Sequence, residues 1–138
     1  MPRSTASRKY QLTINNPKEH GFDHAAIKSV LVGLSGCVYW CMCDEIGEHG
    51  TPHTHVYVAF ENAKEFHSLH RRFYGAHIEA ARGSHRENRD YIRKEGKYRD
   101  TEKAGTNLGE TFEESGDLPE ENERRIKQSE AILAMVEE

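Results

Sequence analysis

Along residues 8–16, RKYQLTINN, apolar and polar side chains alternate, with Tyr10, Leu12 and Ile14 on one side and Gln11, Thr13 and Asn15 on the other. Successive side chains of a strand point to opposite faces, so this period of two predicts a half-buried strand, ended by NNPKEHG. The period then changes. In DHAAIKSVLVGL (23–34), Ile27, Val30, Leu31 and Leu34 recur at helical spacing, Asp23 can cap the start, and Gly33 and Gly36 bracket the exit. Residues 37–46, CVYWCMCDEI, are rich in strand-favouring types and predict a central strand. After the loop GEHGTP, the segment HTHVYVAF (53–60) predicts its antiparallel partner, with Val56, Val58 and Phe60 on one face and His53, His55 and Tyr57 on the other. NAKEFHSLHRRF (62–73) predicts a helix with Asn62 and Glu65 as a capping box and Phe66, Leu69 and Phe73 as its apolar stripe. GAHIEAA (75–81) predicts a short fourth strand. SHRENRDYIRKEG (84–96) predicts a further helix, with Ser84 and Glu87 as a second capping box and Gly96 at its far end.

Strand, helix, strand, strand, helix, strand, helix is the split βαβ order. It predicts an α+β fold of ferredoxin-like type, an antiparallel sheet with helices packed on one face and a second face able to carry a site. Residues 1–7 read as a flexible N-terminus and 8–100 as the folded domain. Residues 101–118 hold few core-forming side chains and read as an acidic linker or tail; 119–138 read as a helical segment, with Pro119 near its first turn and Ile126, Leu133 and Val136 able to pack on a neighbour.

Composition changes this picture little, whereas charge changes it more. At 138 residues and 36% hydrophobic the chain suits one domain, and no apolar run is long enough to span a membrane. Three clustered cysteines, Cys37, Cys41 and Cys43, argue against a disulfide framework and read as small buried hydrophobes. Net charge is −4, but it is unevenly spread: residues 71–99 carry 9 Lys and Arg against 4 Asp and Glu, and residues 101–138 carry 4 against 11. Local positive density, rather than the total, is what phosphate binding requires.

Two constellations carry candidate chemistry. His53 and His55 project together from one strand, and Glu45 lies on the strand before. Two imidazoles and a carboxylate at one hairpin end suit a divalent cation, Mn²⁺ or Mg²⁺, although zinc also binds such groups. His49 in the loop is an alternative ligand, and a plain surface pair of histidines is the bland alternative. Tyr91 and Lys94, three apart in YIRKEG, share a helix face. An ammonium beside a phenol favours the phenolate, a nucleophile toward phosphate. Arg86, Arg89 and Arg93 on that helix offer contacts to flanking phosphates. Alternatively Tyr91 packs against the sheet and the charges coat the outside.

QLTINNP, GTPHTHVYVAF and DYIRKEG, in this order and at these distances, resemble the three motifs of the replication-initiator (Rep) endonucleases of small circular single-stranded DNA viruses, similar to circoviruses and cycloviruses, within the HUH endonuclease family. The resemblance spans roughly residues 8–119. It implies a metal held by Glu45, His53 and His55, and Tyr91 as the nucleophile that nicks single-stranded DNA at a replication-origin hairpin and stays joined to the 5′ phosphate. It also implies that Lys94 assists, that Leu12, Thr13, Asn15 and Asn16 lie where the first motif meets DNA, and that the protein works in the host cell nucleus. Relatives continue into an oligomerisation segment and a helicase domain, so a homo-oligomer formed through the C-terminal region is a further expectation. No G-x-x-x-x-G-K-[ST] occurs in these residues. One departure stands out: Thr54, between the histidines, occupies a usually apolar position, and its buried hydroxyl is expected to bond to backbone. Tyr98, beyond Gly96, is expected to take no part, which makes this a one-tyrosine enzyme. The rival classes are a non-catalytic single-stranded nucleic-acid-binding module that stacks bases on Tyr10, Tyr39 and Tyr57, and a metallohydrolase that uses water.

Overall fold

In the computed structural model, which describes residues 6–15, 22–46, 50–94 and 107–119, the alternating segments pair into one five-stranded antiparallel sheet. Its strands are β1 (Ala6–Asn15), β2 (Cys37–Ile46), β3 (Pro52–Glu65), β4 (His77–Ala80) and β5 (Asn107–Gly116), and the helices are α1 (His24–Val32), α2 (Phe66–Arg72) and α3 (His85–Arg93). Strand order across the sheet is β4-β1-β3-β2-β5. The α+β class expected from the sequence is therefore present. No helix among the described residues is long and apolar enough to cross a membrane.

The period of two sorts the strand side chains into two buried layers. Tyr10, Leu12, Ile14, Trp40, Met42, Val56, Val58 and Phe60 pack with Ile27 and Leu31 of α1 and with Leu69 and Phe73 at α2. On the other face Tyr39, Cys41, Cys43, Tyr57 and Ala59 bury against Ile92 of α3. Two helices thus share one face, and α3 lies over the face that carries the histidines. Capping fixes where the helices begin. The Asp23 carboxylate accepts from the Ala26 N–H at 2.9 Å, and Ser84 and Glu87 close a capping box in both directions. Phe73 is wholly buried and lies 5.8 Å from the ring of Phe22. Replacing it by Ala is expected to cost about 3–5 kcal/mol of unfolding free energy, measured by denaturant titration; a loss near zero would mean that α2 does not dock as described.

Three elements depart from expectation. The strand β3 runs on to Glu65, so Asn62 lies within it and the Asn62–Glu65 capping box does not form. Pairing prevails there because Lys64 and Glu65 face Ser7 and Ala6 of β1, and the Tyr10 hydroxyl donates to the Lys64 carbonyl at 2.6 Å. Residues 107–116, read as linker, form β5 beside β2. An edge strand can be polar because only part of it is covered, and here the polar side chains have specific partners: Glu113 meets His24 and Lys28, and Glu114 meets Tyr39 and Arg89. Phe112 and Leu118 add to the second buried layer. Finally, α3 ends at Arg93, with Lys94 as its C-cap in the left-handed region at φ 59. Asn16, His49, Gly96, Tyr98 and residues 120–138, which hold most of the expected terminal helix, lie outside the described residues.

Candidate active site

Register assembles the triad. Across the β2–β3 pair, Glu45 faces His53 and Cys43 faces His55, and directly opposed residues share a face. The Glu45 Oε2 atom lies 3.1 Å from His55 Nε2 and 3.7 Å from His53 Nε2. The two imidazole rings meet edge-on, 4.7 Å between centroids. One donor atom from each residue falls within 4.8 Å of the other two.

This donor set fits a small divalent cation. Ligands about 2.1 Å from a shared ion, at angles between octahedral and tetrahedral, stand about 3.0–3.4 Å apart. The shorter separation already meets that range, and the longer needs only a small side-chain rotation. Glu45 is buried, and a carboxylate withdrawn from water calls for a positive partner. Burial, followed by repulsion from His55, lowers the His53 pKa, although the Glu45 charge opposes both. A metal-binding imidazole must be neutral, so this shift favours ligation. Thr13 faces His55 across the β1–β3 pair, its Oγ1 3.4 Å from Nδ1, and Asn15 faces His53.

Helix α3 brings the tyrosine to the triad. Its start is docked by the Tyr57 hydroxyl against His85 Nδ1 at 2.5 Å, and Ile92 anchors its underside. Tyr91 then meets His55 edge-on, with ring centroids 6.0 Å apart. The backbone reverses at Lys94, which carries its side chain inward rather than along the helix. The ammonium donates to the Tyr91 carbonyl at 2.7 Å, sits 3.8 Å from the centre of the Tyr91 ring, and lies 3.7 Å from Glu45 Oε2. Tyr91, Lys94, Glu45, His53 and His55, far apart in the chain, thus form one cluster.

The expected DNA-contact residues divide. Thr13 and Asn15 lie on the site face, whereas Leu12 is buried among helix contacts on the reverse face, where no DNA reaches it. Arg86 and Arg93 are exposed, the latter over the Phe112 ring at 5.1 Å. Arg89 is held by Glu114 through bonds of 2.7 and 3.2 Å, which raises its pKa and neutralises its charge. Its first role is therefore to tie α3 to β5.

Several residues escaped the sequence reading. Gln11, Arg82, Glu87 and Asn88 join Tyr91 in lining a cavity of about 150 Å³. Gln11 Nε2 donates to Asn88 Oδ1 at 2.5 Å, and Asn88 Nδ2 donates to the carbonyls of Arg82 and Ser84. Gln11 shares the strand face of Thr13, so alternation alone pointed to it. The Thr54 hydroxyl donates to the Asp44 carboxylate at 2.8 Å rather than to backbone, because Asp44 stands directly opposite. His24, at the start of α1, spans Asp44 at 2.9 Å and Glu113 at 2.5 Å.

Burial alone would lower the His24 pKa, but bonds to two carboxylates outweigh it and raise it. Stability from this group is fully present below its unfolded value near 6.5 and is lost as pH rises through the higher folded value. The stability difference between the natural chain and His24→Asn is therefore expected to shrink from pH 6 to pH 8. A constant difference would exclude the protonated bridge.

Cys37, Cys41 and Cys43 form no disulfide, Cys41 and Cys43 being buried, and burial pushes the Cys41 thiol up to about 12. They behave as core side chains. Tyr10, Tyr39 and Tyr57 are likewise buried, so they offer no exposed platform for stacked bases.

Residues 7–95 match the family model for viral replication proteins. The chain belongs to this family. It is 38% identical to the replication-associated protein of pigeon circovirus over 96 residues, 69% of this chain and 29% of the relative. Against the replication-associated protein of beak and feather disease virus the identity is 35% over 98 residues, 70% of this chain and 32% of the relative. For that of canary circovirus it is 31% over 94 residues, 67% of this chain and 31% of the relative. The chain thus corresponds to about a third of the length of these viral replication proteins, and the residues matched by the family model include Glu45, His53, His55 and Tyr91.

Proposed function

We propose that this chain is a metal-dependent nicking and joining enzyme for single-stranded DNA, which initiates rolling-circle replication at an origin hairpin. Glu45, His53 and His55 would hold Mn²⁺ or Mg²⁺, which supplies Lewis-acid polarisation of the scissile phosphate. The Tyr91 oxygen forms a bond to phosphorus while the bond to the 3′ oxygen breaks. The products are a 5′-phosphotyrosine ester and a free 3′ hydroxyl. Because the ester replaces one phosphodiester by another, the reverse attack rejoins ends. Lys94 steadies charge on the phosphate. Thr13, Asn15, Arg86 and Arg93 flank the strand; Asn16 completes the first motif.

One observation carries this proposal: Tyr91 stands against His55 at 6.0 Å between ring centroids, with the Lys94 ammonium between that ring and Glu45. Tyr10, Tyr39 and Tyr57, on which the rival binding module would stack bases, are buried, and a water-using hydrolase has no use for Tyr91 beside the triad. In the whole viral protein the nick would precede unwinding by a helicase region, in a homo-oligomer inside the host nucleus. The test is an origin-like oligonucleotide labelled at its 3′ end, incubated with Mn²⁺ and run on a denaturing gel. Label transferred to protein supports the enzyme. Cleavage with no labelled protein points to water as the nucleophile, and binding with no cleavage to the module.

A further inference from the structure

Metal ligands drawn from two strands are only as well placed as the strands are aligned. The pair Asp44–Thr54 lies directly between Glu45–His53 and Cys43–His55 in the β2–β3 ladder. Its side chains project from the reverse face of the sheet, away from the triad. There Thr54 is wholly buried, and its hydroxyl donates to Asp44 Oδ1 at 2.8 Å. The same carboxylate oxygen receives His24 of α1.

The other flank of β2 needs such help. The register between β2 and β5 shifts between Met42 and Asp44, beside the ligand Glu45. At that point the Asp44 N–H donates to the Thr111 hydroxyl, at 2.8 Å. Side chains therefore hold Asp44 from three directions: Thr54 on β3, His24 on α1 and Thr111 on β5. One residue farther along the strand is the buried carboxylate of the triad.

We propose that Thr54 and Thr111, acting through Asp44, are positioning residues that set Glu45 at the height of the two imidazoles. The inference rests on the metal reading of the triad. It gives a reason for a hydroxyl between the histidines: Thr54 holds the Asp44 side chain from β3, while the Thr111 hydroxyl takes the Asp44 N–H beside the register shift. Groups that orient metal ligands from outside typically change affinity about 10–100-fold when removed.

The test is Mn²⁺ binding by the whole chain, followed by electron paramagnetic resonance of the free ion, with a thermal melt of each variant. Thr54→Val keeps the shape and removes the donor; it is expected to stay folded and to bind Mn²⁺ about tenfold more weakly. Thr54→Ser restores the hydroxyl and should return the affinity close to the natural value. Thr111→Val removes the bond on the β5 side and is expected to weaken binding similarly, which keeps the test available if Thr54→Val does not fold. Unchanged Mn²⁺ affinity in the folded valine variants, whatever their melting temperatures, would overturn the positioning role and leave an ordinary structural one. His55→Ala separates the two layers of inference. If the natural chain binds no Mn²⁺, or binds it equally without His55, the metal reading falls and this proposal with it.

Discussion

Replacing Tyr91 by Phe is expected to abolish the covalent DNA adduct and to lower strand cleavage about a thousandfold or more. The change removes one oxygen and leaves the ring that packs against His55, so the fold and the metal affinity should persist. Joining activity should vanish with cleavage, because both directions pass through the same ester. Cleavage retained at more than about a tenth of the natural rate would show that another group attacks the phosphate. Tyr98 is the obvious alternative for substitution, and an adduct that survives in Tyr91→Phe and disappears in Tyr98→Phe would move the nucleophile. Lys94→Met adds a graded comparison. It removes the ammonium 3.8 Å from the Tyr91 ring, so it should slow nicking.

Replacing His55 by Ala, or removing divalent cations with a chelator, is expected to suppress cleavage to a similar degree while leaving most of the affinity for single-stranded DNA. His55 stands closest to Glu45, at 3.1 Å, so its loss takes one of three donors from the triad. Much of the DNA affinity should survive, since the proposed contacts to phosphate come from other residues, Arg86 and Arg93 of α3 among them. Mn²⁺ added back to the chelated natural chain should restore activity, and added to His55→Ala at the same concentration should not. Full activity without divalent ions would reject the metal reading outright. Acid should act in the same direction: protonated imidazoles cannot ligate, and the lowered His53 pKa keeps that ligand neutral to lower pH than an ordinary histidine.

Much of this site was legible in linear form. Alternation in HTHVYVAF placed His53 and His55 together because a strand has a period of two, and no bulge interrupts β3 between them. The Ser84–Glu87 box located α3, because a cap depends on residues three apart. Other features were not legible. Asn62 and Glu65 are also three apart, yet pairing with the N-terminal end of β1, more than fifty residues away, kept that stretch extended. The strand β5 read as linker because its polar side chains look solvent-bound until Lys28, His24, Tyr39 and Arg89 arrive beside them. Thr54 and His24 gave no local sign of sharing Asp44.

Local periodicity and capping thus specify in this chain which residues form each strand and helix core and which side chains share a face, since these rest on backbone geometry within a few residues. The meeting of Glu45 with the histidines, the turn of Lys94 back to Tyr91 and the recruitment of β5 depend on register and docking between distant segments. Those are settled by the packing of whole surfaces and by the pairing of charges on different elements, quantities that no short window of sequence contains.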